Sequence, residues 1–165
     1  MGLKRFLLGN PETIAGTIYG TIIVLSVLAA GAKAYEHHLW RLDVIAATSA
    51  VVLWLAHVYS HGIGESLKLG RRLTVSELVS VARCEYSIVA AAVPPVLALA
   101  LGAAGVVSPR TAIWLVFGVG AITLAAQGVR YARLERLSRG GAVLTVVVNL
   151  ALGLALVAVE VLISH

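Results

Sequence analysis

Two histidines and a glutamate recur at four-residue spacing within residues 54–65, as His57, His61 and Glu65. On a helix the three share one side, drifting about 40° per step. Three kinds of chemistry suit them. Imidazoles at i and i+4 can share a divalent metal ion, with a carboxylate such as Glu12, Glu65 or Glu85 completing a mixed nitrogen and oxygen shell. Histidine also titrates near physiological pH, so the pair suits a proton relay. In the plainest case the rings hydrogen-bond across helices, as polar side chains in helical bundles commonly do. The stretch contains no HExxH and the chain no CxxC, so the spacing alone leaves all three open.

The surroundings of this stretch say what must position it. Of 165 residues, 59% are hydrophobic and 13% charged, where a soluble domain carries roughly 25% charged residues. Five apolar runs approach or exceed the roughly 20 residues that cross a hydrocarbon core: 13–32, 44–64, 86–107, 111–129 and 141–159. None alternates with a period of two, and only helices or closed barrels satisfy the backbone in lipid. The expected fold is therefore all-α: one transmembrane domain over residues 1–165, built as a bundle of five helices. Lys4 and Arg5 before the first run, and the small residues at 30–34 after it, have the outline of a signal peptide. The run is nevertheless longer than the roughly 7–15 residues of a signal core and is interrupted early by Glu12, so a retained helix is expected. One cysteine, Cys84, allows no internal disulfide.

Basic residues set an orientation. Lys4, Arg5, Lys68, Arg71, Arg72, Arg83, Arg130, Arg133, Arg136 and Arg139 fall on one side of such a bundle, and only Lys33, Arg41 and Arg110 on the other. The basic side is cytoplasmic, giving N-in and C-out. The net charge of +5 is explained by these short connectors, so no nucleic-acid partner is implied. Arg130, Arg133, Arg136 and Arg139 recur every third residue at a span's end, a series suited to anionic lipid headgroups. An Arg, Ala, Gly and Val bias points to a GC-rich bacterial genome, hence a bacterial plasma (inner) membrane.

Several local signals are readable. Asn10-Pro11 opens the first helix, Thr74 with Glu77 forms a capping box, and Ser108-Pro109 opens the fourth span. Pro94-Pro95 should break the third, and Gly140-Gly141 should break the chain before the fifth. Gly16 and Gly20 form a GxxxG face for close packing. Trp40, Trp54 and Trp114 suit interfacial or lipid-facing positions.

With the orientation fixed, His57, His61, Glu65, Glu12, Glu85, Gln127 and Asn149 gather in the cytoplasmic half, with Glu85 facing Arg83, Arg130 or the histidines. Glu36, His37 and His38, with Asp43, Glu160 and His165, form a smaller outer group. Phosphate-binding glycine loops, GxSxG, CxxCH and TVGYG are all absent. Three functions remain: a cation channel or transporter, for protons or a divalent metal ion and working as a homo-oligomer; an intramembrane enzyme, with or without a metal, acting on a lipid or isoprenoid; or a non-catalytic scaffold subunit.

Overall fold

The computed structural model describes the backbone of residues 11–163 and the side chains of all but a few near the two ends. Over those residues the chain is all-helical. Its elements are α1 (Pro11–Gly31), α2 (Leu39–Leu69), α3 (Val75–Cys84), α4 (Tyr86–Ala90), α5 (Val93–Ala103), α6 (Pro109–Leu134) and α7 (Arg139–Ile163). Four helices are long and apolar enough to cross a membrane, and a fifth crossing is available if α3–α4 and α5, bent by 43°, count as one.

Helix α1 is the central post, touching α2, α4, α6 and α7. Its Val24, Leu25 and Leu28 meet Leu42, Ala46 and Ala50 of α2, Leu99 of α5, and Val116 and Leu124 of α6 in one apolar core. Close approach depends on residues without side chains. A Cβ on Gly20 would lie 2.5 Å from the Ile88 carbonyl oxygen, and one on Gly16 would strike Ser87. The GxxxG face therefore packs inside the chain, against α4. Gly120 likewise admits Leu25, and Gly153 admits Leu124.

Helix ends follow local chemistry. Thr74 Oγ1 accepts from the Glu77 amide, and the Thr74 amide donates to Glu77 Oε2 at 2.8 Å, which completes the capping box of α3. Ser108 Oγ accepts from the Thr111 amide at 3.1 Å and Pro109 takes the first turn of α6. The Asn10 cap lies outside the described residues.

Two breaks differ from the sequence reading. The bend expected at Pro94-Pro95 falls one turn earlier, at Ala91 and Ala92, and the prolines occupy the first turn of α5. The reason is that a proline clashes with, and withholds its donor from, the carbonyl four residues before it, here those of Ala90 and Ala91. Gly140 and Gly141 do not interrupt the chain but lie in the first turn of α7, where the Gly141 amide donates to Ser138 Oγ at 3.3 Å. The reversal is made instead by Arg136, at φ 53°. Its amide donates to the Arg133 carbonyl and that of Leu137 to the Ala132 carbonyl, the paired bonds of a left-handed helix stop.

Helix α2 leaves the bundle as it proceeds. Leu39, Leu42, Ala46 and Ala50 are buried in its first half, but only Val58 and Gly62 after that. At 1.5 Å per residue its 31 residues run about 46 Å, against roughly 30 Å of hydrocarbon. Gly70, at φ 63°, stops it, and α3, which buries no residue, returns alongside. The end of α2 and α3 thus form a helical hairpin projecting from the bundle. This hairpin carries the histidines.

Candidate functional site

Within the hairpin, α2 is tied to α3 by the indole of Trp54. Trp54 is half-buried, and its indole Nε1 donates to the Ala82 carbonyl of α3 at 3.1 Å. A donor entering a helix's carbonyl ladder favours a kink, and the helix does break at Glu85, between α3 and α4. That break turns the Glu85 side chain toward α2.

There His61 Nδ1 lies 2.7 Å from Glu85 Oε1. The carboxylate side chain is 15% exposed and the imidazole 60%, so the glutamate is the sheltered member and the histidine the one reached from outside. With Nδ1–H donating to the carboxylate, Nε2 on the far side of the ring is left for a ligand. The pair sits at the head of a groove of about 570 Å³ between α2 and α3, with Ser60, Glu65, Glu77 and Cys84 also in its walls. The groove's other charges are matched internally. Lys68 meets Glu65 at 2.7 Å, and Arg71 grips Glu77 with two bonds of 2.7 and 3.0 Å. The Glu77 carboxylate, by hydrogen bond and then by charge, raises Arg71 above the usual guanidinium range.

His57 takes a different role from His61. Its ring stacks at a tilt on Tyr19 of α1, centroids 5.0 Å apart, and its Nδ1 lies 3.3 Å from the Leu53 carbonyl. The His57 and His61 rings are 6.1 Å apart and inclined by 53°. Each Nδ1 is engaged elsewhere, and among the described residues no three His, Cys, Asp or Glu side chains converge as a metal ion requires. Glu12, one of the carboxylates that could complete a shell around the two imidazoles, has its side chain outside the described residues.

Of the remaining polar residues, Asn149 and Gln127 do not join the groove. Asn149, buried, donates to the Leu124 carbonyl at 3.4 Å and ties α7 to α6. Gln127, also buried, accepts from Arg130 at 3.4 Å. Glu85 faces His61 and neither Arg83 nor Arg130. Glu65 pairs along its own helix with Lys68. The side chains of Glu12 and Glu160, and the whole of His165, lie outside the described residues. Of the outer group, Glu36 and His37 form an exposed neighbour pair at 3.2 Å, while His38 precedes α2 without a side-chain capping bond.

Sequence reasoning did not find Tyr19 or Ser87, and it named Trp54 without its partner, the Ala82 carbonyl. Nothing local ties Tyr19 to His57, 38 positions away. Ser87 could have been suspected only as the partner that a GxxxG face needs. Comparison of the chain with family models, with characterised proteins and with solved structures gives no match, so its function is read from its own residues.

Proposed function

We propose that the protein is a small transport protein of the bacterial inner membrane that passes a cation, the proton, through the His61–Glu85 pair. The observation that carries the reading is the 2.7 Å contact between a sheltered carboxylate and an accessible imidazole at the head of a polar groove. A proton needs only a donor and an acceptor, which this pair supplies, whereas a divalent ion needs a larger donor set. The single bundle is filled by its apolar core, so the path beyond the pair runs between copies in a homo-oligomer. The basic connectors orient the assembly N-in and C-out, and Arg130, Arg133, Arg136 and Arg139 hold it against anionic headgroups. Arg136 supports that last assignment, because it occupies a left-handed position that glycine fills more easily.

A second reading is favoured by one feature of the same geometry. A carboxylate holding one nitrogen of an imidazole, with the other left free, is the arrangement of a general base, and the groove is large enough for a lipid headgroup. An intramembrane enzyme acting on a lipid would use it so; a scaffold subunit has no need of it.

Proteoliposomes loaded with a pH-sensitive dye decide between these. Under an imposed potential the wild-type chain should acidify or alkalinise the lumen faster than protein-free vesicles, with a rate that changes between pH 5 and 8. Glu85→Gln should cut the rate about tenfold or more, the scale of one lost proton-transfer group. His61→Ala should flatten the pH dependence, and His37→Ala should leave it intact. Wild-type flux no greater than that of empty vesicles, or equal flux in Glu85→Gln, overturns the transport reading.

A further inference from the structure

The hairpin has a second face, turned away from the His61–Glu85 groove. On it Tyr59, Ile63 and Leu67 of α2 form an exposed apolar row at four-residue spacing. They line a shallow groove of about 300 Å³ with Leu78 of α3. The row continues the apolar surface that begins at Val44. From Val44 to Leu67 a helix rises about 35 Å, more than the roughly 30 Å of hydrocarbon. With Val44 at one edge of the hydrocarbon, Leu67 reaches headgroup level, and it is 77% exposed among the described residues.

Charge at the same place is selective. Arg72 lines this groove. The two cations beside it in the turn are already matched, Lys68 by Glu65 and Arg71 by Glu77. Among the described residues Arg72 has no acidic partner within reach of an ion pair, and it is exposed. A guanidinium without a counter-ion, at the end of an apolar row that ends at headgroup depth, matches an anionic amphiphile. The guanidinium fork fits a phosphate, and the row fits a hydrocarbon chain.

We propose that this face of the hairpin binds one anionic phospholipid, its phosphate on Arg72 and an acyl chain along Tyr59, Ile63, Leu67 and Leu78. The site does not rest on the proton reading, since it uses the opposite face of the hairpin and none of its residues. It is also separate in the chain from the arginines at 130–139, which lie in the last turns of α6, in the turn after it and at the start of α7.

Native mass spectrometry of the delipidated full chain, offered equal amounts of dioleoyl phosphatidylglycerol and dioleoyl phosphatidylcholine, tests it. The wild type should retain one phosphatidylglycerol in preference. Arg72→Gln should lower that occupancy about tenfold, as expected for one charge-assisted contact, and Arg72→Lys should lower it less. Leu67→Asn should weaken both lipids. Arg72 lies in an exposed turn, and circular dichroism checks that each variant is folded. Three results overturn the proposal: occupancy unchanged in Arg72→Gln, occupancy lost in Arg133→Gln but kept in Arg72→Gln, or displacement of the lipid by inorganic phosphate at millimolar concentration, on the order of 1 mM, which would make the site one for the free anion.

Discussion

Gly20→Ala adds one methyl group where the backbones of α1 and α4 come closest. The new Cβ would stand 2.5 Å from the Ile88 carbonyl oxygen and 3.1 Å from the Ala91 Cβ, where ordinary contact begins at 3.4 Å. About 0.9 Å of separation must therefore be found against backbone, which cannot rotate aside as a flexible side chain does. Overpacking of this kind costs about 1–3 kcal/mol. The control is Gly118→Ala, on the same protein but with nothing within 4 Å of the added carbon. In a helix that exchange is favourable or neutral, since glycine is worse than alanine by about 1 kcal/mol. Thermal unfolding of both variants in the same detergent isolates the clash. By the usual 2–4 °C per kcal/mol for a chain of this size, Gly20→Ala should melt several degrees below Gly118→Ala. Equal midpoints would mean that α1 and α4 do not meet at Gly20 and would refute the packing.

Trp54→Phe keeps the ring but removes the donor to the Ala82 carbonyl, and should cost about 0.5–1.5 kcal/mol. Amide exchange should then quicken in α3 and α4 before it does in α6. Arg136→Gly relieves the left-handed backbone at φ 53° and should raise stability by roughly 1 kcal/mol in detergent melts, while weakening association with anionic vesicles. Asn149→Ala loses the bond to the Leu124 carbonyl and should cost about 0.6–1.7 kcal/mol, measured by the same melts; unchanged stability would show that α6 and α7 are held by apolar packing alone.

How far the sequence carried depends on the range of each interaction. The apolar runs were legible because span length is a property of consecutive residues, and so were Thr74 with Glu77 and Ser108 before Pro109, whose partners lie three residues away. Pro94-Pro95 was read correctly as a breaker and placed one turn too late, because the disturbed carbonyls precede the rings. Gly140-Gly141 was misread for a related reason. Glycine permits a turn without requiring one, and the Ser138 cap let both residues start α7 while Arg136 took the left-handed position. His61 and Glu85 were both singled out from sequence, but three partners were open for Glu85, and only the fold of α2 against α3 and α4 chooses among them. Tyr19 beside His57 had no local signature.

The division of labour within the chain explains where polar residues are tolerated. In the bundle, Gly16, Gly20, Gly120 and Gly153 bring helices so close that packing alone specifies the arrangement, and the buried Asn149 and Gln127 spend their capacity on neighbouring groups. The hairpin has no such packing, since α3 buries nothing. Besides the His61–Glu85 contact and the stack of His57 on Tyr19, it is held by a capping box, two exposed ion pairs and one indole bond. Exposed pairs are each worth about 1 kcal/mol or less, so amide exchange should show the hairpin opening before the bundle. A sheltered carboxylate such as Glu85 costs stability in that setting unless its partner is present. That a weakly held element nevertheless carries His61 and Glu85 on one face and Arg72 on the other is a reason to look for function in its movement, because the proposed proton and lipid sites would both act on the same two helices.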